Sequence, residues 1–403
     1  MTRIAIVGGG VAGLAVAALL RHHGIEYRIY EQSARFAAVG AGIQLSPNGV
    51  RILHRLGVGP TLREHGVAAE SIEIRRWDDG RLLSAVPHGD ACVTDFGAPY
   101  VLIHRADLQR GLVGLLPAAD LGLGRRVVRV SEDETQATLH LADGTSDTAD
   151  LVIGADGVHS VVRPALVDDS PRYSGYAVWR GLLPVDEVPA LGRVPRVLFW
   201  FGPDAHVTYY PIAARRTVHV SAVCARSAET GDVAVEELTA ALGGWHPEVR
   251  RVIGAARGVS RWGLYDRDIT GPWHSRRLVL LGDAAHPTLP YLSQGANQAL
   301  EDALLVADLL AADPVTALDR YERARRPRVA EVHRQARHRA ALFHLPDGPA
   351  QRARDEELAR QVDLSHLRWL YGHDPDAEQA GATLDDLAGC RGSSGVGCPR
   401  PGR

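Results

Sequence analysis

Apolar and polar positions recur along this chain with distinct periods, and each period predicts a different element. Ile4 to Val7, Leu151 to Ile153 and Leu278 to Leu281 are apolar throughout, the pattern of short strands covered on both faces. A glycine turn follows the first of them, then an apolar-faced helix through Leu20 and a strand from Tyr27 to Tyr30. Together these make a βαβ unit over residues 3 to 31. Helical spacing returns from Ser46 to Leu56, where Ser-Pro-Asn supplies a start and Gly57 a stop, from Arg105 to Leu116, and from Gly295 to about Ala312.

Period-two alternation marks other stretches. Ser71 to Trp77 with the turn Asp78-Asp79-Gly80 predicts a hairpin, and Arg126 to Val130 with Ala137 to Leu141 a second strand pair. Between residues 172 and 225 the segments Ala177 to Leu183, Val197 to Phe201, Val207 to Pro211 and Val218 to Val223 are rich in aromatic and branched residues and predict a separate sheet. Residues 320 to 370 are helical and rich in Arg and Ala, with the arginines of 320 to 340 read as a solvated face. Cys390 to Arg403 has the Gly/Pro/Ser content of a disordered tail.

Composition narrows the class. A chain of 403 residues with 45% hydrophobic content is long enough for a two-domain α/β or α+β enzyme. A formal net charge of -3 supplies no field for nucleic acid or anionic membranes. No apolar run spans a bilayer and no leader pattern opens the chain, which predicts no membrane association and a cytoplasmic protein. Cys92, Cys224, Cys390 and Cys398 match neither a redox pair nor a metal-ligand spacing, so no metal is expected. All 45 Lys+Arg residues are arginine, which removes every chemistry that needs a lysine amine.

The sharpest local signal is Gly8-Gly9-Gly10-Val11-Ala12-Gly13, directly after a strand and directly before a helix. Gly8 permits the tight turn, Gly10 admits a pyrophosphate, and Gly13 allows close helix packing, with the helix N-terminus turned toward the phosphates. Glu31, followed by Gln32, ends the second strand where a carboxylate can bind ribose hydroxyls. The fingerprint alone does not separate NAD from FAD.

Two later constellations make that choice. Leu151 to Ile153 runs into Gly154-Ala155-Asp156-Gly157, and Leu278 to Leu281 runs into Gly282-Asp283-Ala284-Ala285-His286-Pro287, followed by Pro290-Tyr291-Leu292-Ser293-Gln294-Gly295-Ala296-Asn297. In this order the three motifs resemble the class A FAD-dependent aromatic monooxygenases of the para-hydroxybenzoate hydroxylase fold, over roughly residues 1 to 345. Gly40 to Asn48 and Ile103 to Leu108 look most like salicylate hydroxylase and 6-hydroxynicotinate 3-monooxygenase.

The resemblance implies an α/β (mixed α+β) architecture: a Rossmann-like FAD-binding domain with an inserted β-sheet substrate domain and C-terminal helices. The expected boundaries are 1–170 for the first FAD-binding part, with small β insertions around 71–100, and 171–270 for the substrate domain. The second FAD-binding part follows at 271–345, then a helical segment at 346–389 and the tail at 390–403. It implies FAD as cofactor, NADH or NADPH as transient electron donor, and a phenolic or hydroxypyridine carboxylic acid hydroxylated with O2 through a flavin C4a-hydroperoxide. A monomer or homodimer is expected.

Position by position, the resemblance implies that Asp283 bonds the ribityl chain, Arg105 reaches the pyrophosphate region, Asp156 organises flavin and nicotinamide, and Val127 contacts adenine through its backbone. Gly8, Gly10, Ala12, Gly13, Glu31, Gln32, Gln44, Gly295, Ala296 and Asn297 complete the cofactor set. Two departures stand out: Ser293 replaces the glycine or alanine common before Gln-Gly, and Gln44 replaces the histidine of 6-hydroxynicotinate 3-monooxygenase.

Hydroxylation by this chemistry needs a dry site and an electron-rich ring. A base or relay for the substrate hydroxyl is sought in His206, Tyr209 and Tyr210, and strand alternation admits only one of the two tyrosines to the pocket. Pro290 joins them as a catalytic candidate in the flavin loop. Gln44, Arg180, Tyr209, Tyr210, Pro290 and Tyr291 are the substrate candidates, with Arg180 considered for a substrate carboxylate. His286 reads as a structural turn residue. The alternatives are an epoxidase or oxidase of the same fold, and an NAD-dependent dehydrogenase or non-redox dinucleotide-binding protein.

Overall fold

The computed structural model describes residues 3–36 and 41–375. The tail expected at 390–403 and the end of the segment 346–389 lie outside the described residues. The apolar strand Ile4–Val7 sits at the centre of a five-stranded sheet, parallel to Leu151–Gly154 on one side and Tyr27–Glu31 on the other. Leu278–Leu280 and Leu121–Leu123 extend it at its two edges, also in parallel. All four residues of Ile4–Val7 are buried, as a strand covered by helices on both faces demands. The helix Val11–His22 packs on the long helix Gly295–Ala312, so the first and last motifs of the sequence share one wall.

An eight-stranded sheet forms the second layer, in the order Gly231–Asp232, Arg257–Asp266, Arg172–Pro184, Thr217–Ala225, Ala205–Ile212, Arg196–Gly202, Ser71–Arg76, Leu82–Pro87. The hairpin assigned from sequence to the first FAD-binding part therefore belongs to this sheet, through parallel pairing of Ser71–Arg76 with Arg196–Gly202. Local alternation reveals a hairpin but not which distant edge it joins.

The two faces of this sheet have different partners. Trp179, Trp200, Tyr209 and Val220 pack under the helices Val235–Ala241 and Pro247–Gly254. On the opposite face Phe201 and Tyr210 meet the loop around Tyr291 and Leu292 and the helix Ala317–Phe343. A small three-stranded sheet of Gly42–Leu45, Val101–His104 and Val67–Ala68 lies beside that second face. Among the described residues no helix is long and apolar enough to cross a membrane.

Candidate active site

The first glycine turn has the shape its sequence predicts. Gly8 sits at φ +106°, and a Cβ there would lie 2.4 Å from the Ala155 carbonyl oxygen. A Cβ on Gly13 would lie 2.0 Å from the Gly8 carbonyl oxygen, whereas one on Gly10 would meet nothing within 4 Å. The turn is thus packed on its inner side and open at the helix N-terminus, where an anion is favoured. Glu31 accepts from the Gly9 amide at 2.7 Å and the Ser33 amide at 2.8 Å. Gln32 is exposed beside it, Ala12 packs against Gly282, and Val127 opens a strand near the Glu31 backbone through the Arg125 to Glu31 bond.

Two aspartates follow neighbouring strands of the central sheet, Asp156 after Leu151–Gly154 and Asp283 after Leu278–Leu280. The Asp156 Oδ2 accepts from the Val161 amide at 2.7 Å, while its Oδ1 is buried without a partner. Asp283 makes no hydrogen bond among the described residues, and its side chain is exposed. Desolvation raises both carboxyls; at Asp283 His286 and Arg105 pull the other way. An orphaned oxygen, an unpartnered carboxylate, the exposed Arg105 and an open helix N-terminus are the donor set and space a dinucleotide needs. The residues present fit FAD.

The turn bearing Asp283 is fixed from below. Asp302 accepts from the Gly282 amide at 2.8 Å and from His286 Nε2 at 2.7 Å, and binds Arg325 Nε at 2.8 Å. Glu301 takes Arg325 Nη1 at 2.6 Å and Asn48 Nδ2 at 2.6 Å, and also meets Arg328. His286 is structural, as expected. The arginines of 320 to 340 are a solvated face only in part: Arg323 and Arg334 are exposed, whereas Arg325 is 0% exposed and Arg328 2%. The latter two fall on the buried stripe of their helix, with carboxylates of the neighbouring helix opposite. Nothing in a single helix's pattern reveals such counter-charges.

Beyond the flavin loop lies a cavity of about 140 Å³, walled by Gln44, Tyr100, Phe199, Leu292, Ser293, Arg339, Tyr371 and their neighbours. A larger surface opening over Arg76, Arg81 and Asp347 contains none of the motif residues. Tyr100 donates to Gln44 Oε1 at 2.7 Å, and burial raises the hydroxyl of Tyr210, with Gln44 and Arg180 opposing. Ser293 occupies left-handed backbone at φ 54°, a conformation that glycine adopts without steric cost. Burial likewise pushes the Tyr100 and Tyr371 hydroxyls well up and lowers His88 to about 4, so these groups are neutral at pH 7.

The tyrosine choice resolves by alternation. Tyr209 points away from the cavity, donating to Glu248 at 2.7 Å and accepting from Trp200 Nε1 at 3.0 Å beneath the outer helices. Its assignment as a catalytic or substrate residue is therefore withdrawn. Tyr210 faces Gly42 and Gln44. His206 shares that face, but its Nδ1 lies 2.8 Å from His344 Nε2 and its ring is packed by Tyr291 and Phe343, outside the cavity wall.

The flavin-loop candidates separate as well. Tyr291 lines the cavity with its hydroxyl unpartnered, and Pro290 is exposed. Gly295 and Ala296 open the helix, half-buried. The Asn297 side chain is taken up within the protein, accepting from the Ser46 amide at 3.1 Å and donating to the Ser293 carbonyl at 2.8 Å. It shapes the loop, and only its backbone is left to face a ligand. Arg180 is half-buried without an ion pair among the described residues, near Tyr210, His219 and Arg105. Sequence reasoning missed Tyr100, Tyr371 and Arg339, although Arg339 lies on the helical stripe of Arg325, Val332, Ala336 and Phe343.

A model of the family described as FAD binding domain matches residues 1–336. The chain belongs to that family. It is similar to 3-amino-4-hydroxybenzoate 2-monooxygenase of Streptomyces cremeus, 57% identical over 93% of this chain and 97% of that protein. It is 37% identical to 6-hydroxynicotinate 3-monooxygenase of Pseudomonas fluorescens over 82% of this chain and 89% of that one. Among solved structures, HpxO of Klebsiella pneumoniae complexed with FAD and uric acid aligns at TM-score 0.82 and 27% identity, covering 97% and 98% of the two chains. A salicylate hydroxylase substrate complex aligns at 0.78 and 26%, covering 94% and 97%. The chain is thus an FAD-dependent aromatic monooxygenase with the expected fold.

Proposed function

We propose that this monooxygenase hydroxylates a single-ring amino- or hydroxybenzoic acid, with 3-amino-4-hydroxybenzoate as the first compound to test, using NADH or NADPH and O2. The observation that carries this reading is the cavity of about 140 Å³ beside Gln44 and Leu292–Ser293. It is small against the roughly 300–1,000 Å³ of clefts for drug-sized ligands, and its walls are mainly aromatic and aliphatic. The 57% identity with 3-amino-4-hydroxybenzoate 2-monooxygenase supports the substrate class.

Gly8 to Gly13, Glu31, Arg105, Asp156, Asp283 and the backbone of 290–297 would hold FAD. When bound, FAD would supply the redox chemistry, taking hydride from the nicotinamide and activating O2 as the source of the transferred oxygen. The helix Gly295–Ala312 turns its N-terminus to the loop and favours negative charge there by about 0.3–2 kcal/mol. Phe199, Leu292 and Tyr371 keep water from the ring. Tyr100, Gln44 and Tyr210 form a chain of neutral groups that can hold and pass a proton at the ring substituent, and none of them is a strong resident base. That suits a substrate whose amine already enriches the neighbouring ring carbon. We place the enzyme in the cytoplasm as a monomer or homodimer.

The test is substrate-stimulated NADH and NADPH consumption by the FAD-loaded protein over aminohydroxybenzoates, hydroxybenzoates, salicylate and hydroxynicotinates. Product mass and peroxide are measured in parallel. A gain of one oxygen on an amino- or hydroxybenzoate, with little peroxide, is the expected result. Faster coupled turnover of hydroxynicotinates, or peroxide alone with every compound, overturns the reading.

A further inference from the structure

Arg339 is the one guanidinium of the cavity wall without a partner among the described residues. It lies in the last third of the helix Ala317–Phe343, at a position that continues the buried stripe of Val332 and Ala336. The other arginine of the wall, Arg354, is already committed: it binds Asp355 through Nε at 2.9 Å and Nη2 at 2.7 Å and the Leu342 carbonyl at 2.9 Å. Among the described residues Arg339 has no such bond to any carboxylate or carbonyl; the phenols of Tyr371 and Tyr100 bear on its charge, and it bears in turn on His366 of the same wall. Desolvation lowers its pKa, though not enough to threaten the charge of a guanidinium.

An enclosed cation without a counter-ion is costly, and folded proteins keep one where a ligand supplies the missing charge. The planar fork of arginine matches a carboxylate in two parallel hydrogen bonds. Two neighbours favour the same ligand group. The Tyr371 hydroxyl lies beside the Tyr100 hydroxyl and reaches His88 Nε2 only at 3.5 Å, so an incoming oxygen can take its hydrogen bond. The cavity carries no carboxylate of its own that could compete, since Asp355 is bound by Arg354 and Gln351 outside its wall.

Arg180, the arginine singled out by sequence, also has no ion pair among the described residues but faces another way. The charges that bear on it are those of Tyr210 and Arg105, and it bears in turn on His219. It therefore sits toward the turn that opens the cofactor cleft, outside the wall of the cavity.

We propose that Arg339, with the Tyr371 hydroxyl, receives the carboxylate of the substrate, so that the ring lies across Phe199 and Leu292 with its other substituents toward Gln44 and Ser293. Arg339 is thus the specificity-determining residue that makes this a benzoate hydroxylase and not a hydroxylase of neutral phenols. The proposal rests on the benzoic acid reading above.

The experiment titrates the visible spectrum of the bound flavin with 3-amino-4-hydroxybenzoate, its carboxamide and 2-aminophenol, in the wild type and in Arg339→Gln, Arg339→Lys and Arg180→Gln. The wild type is expected to bind the carboxylate about 10- to 100-fold more tightly than the carboxamide, the range for a hydrogen-bonded charge. Arg339→Gln is expected to lose that preference while keeping its flavin content and its affinity for 2-aminophenol. Arg339→Lys should keep part of it, and Arg180→Gln all of it. Equal preference in Arg339→Gln and wild type, or its loss in Arg180→Gln alone, overturns the assignment of Arg339 and leaves the benzoic acid reading standing. A wild type whose flavin spectrum does not respond to 3-amino-4-hydroxybenzoate, yet responds to 2-aminophenol, overturns both. If Arg339→Gln fails to fold, the wild-type ratio of carboxylate to carboxamide and the Arg339→Lys variant decide: a ratio near one overturns the proposal.

Discussion

Adjacent residues in this protein have separate fates because a strand turns successive side chains to opposite faces. Tyr209 and Tyr210 are chemically identical and both nearly inaccessible, at 0% and 3% exposure. One is bound to Glu248 and Trp200 under the outer helices, the other stands by Gln44. Tyr210→Phe is expected to slow coupled turnover roughly 10-fold or more, the low end of proton-handling effects, with flavin content unchanged. Tyr209→Phe should leave turnover within about 2-fold and instead lower stability by about 1–3 kcal/mol, the cost of leaving the Glu248 and Trp200 groups without their partner. Steady-state kinetics and thermal melts of the pair check both statements. A kinetic defect in Tyr209→Phe with an intact Tyr210→Phe would reverse the assignment.

At the scale of the element, the decisive feature is how turns at strand ends are held. Gly282 to His286 follows the apolar strand Leu278–Leu280, and its shape depends on Asp302 from another helix. Asp283, within the same turn, bonds to nothing in the described protein. These two aspartates should therefore behave differently when removed. Asp283→Ala is expected to weaken FAD binding about 10- to 100-fold, the range for a charged hydrogen bond, with no loss in the melting temperature of the FAD-free protein. Flavin retained on gel filtration and calorimetry of the apoprotein measure the two effects. Wild-type flavin occupancy in this variant would remove Asp283 from the cofactor site.

At the scale of the whole molecule, Glu301, Asp302, Arg325 and Arg328 tie the nucleotide-binding turn, the helix Pro47–Arg55 and the carbonyls of Trp369 and Leu370 to one buried ionic cluster. Burial alone would raise both carboxyls. Arg328, His373 and Arg325 outweigh it at Glu301, and His286 and Arg325 at Asp302, so both lie below the usual carboxylate range. A depressed carboxyl stabilises the fold fully above its unfolded pKa, about 4, and loses that contribution as pH falls through the folded value. Asp156 and Asp283, with raised carboxyls, act in the opposite sense. Arg325→Met is expected to destabilise the protein by about 3–5 kcal/mol at neutral pH, because it takes a charged partner from two buried carboxylates. The deficit relative to wild type should shrink below pH 4 as those carboxylates take up protons. Denaturant melts at pH 7 and pH 3.5 read this difference; an equal deficit at both would show that the cluster carries no titrating stability.

The sequence by itself determined the elements and the chemistry of the turns. Runs such as Ile4 to Val7 admit only a covered strand, and Gly8 and Gly13 occupy places where neighbouring backbone leaves no room for a side chain, while Gly10 borders open space. Those are local constraints, written residue by residue. The tertiary structure alone decided what faces what across the long gaps: the hairpin of residues 71–87 on the far edge of the second sheet, Arg325 opposite Glu301, Tyr100 against Gln44, and Arg339 within the cavity. A helical period marks a position as covered but does not name the covering group, and counter-charge or its absence exists only once two distant segments have packed.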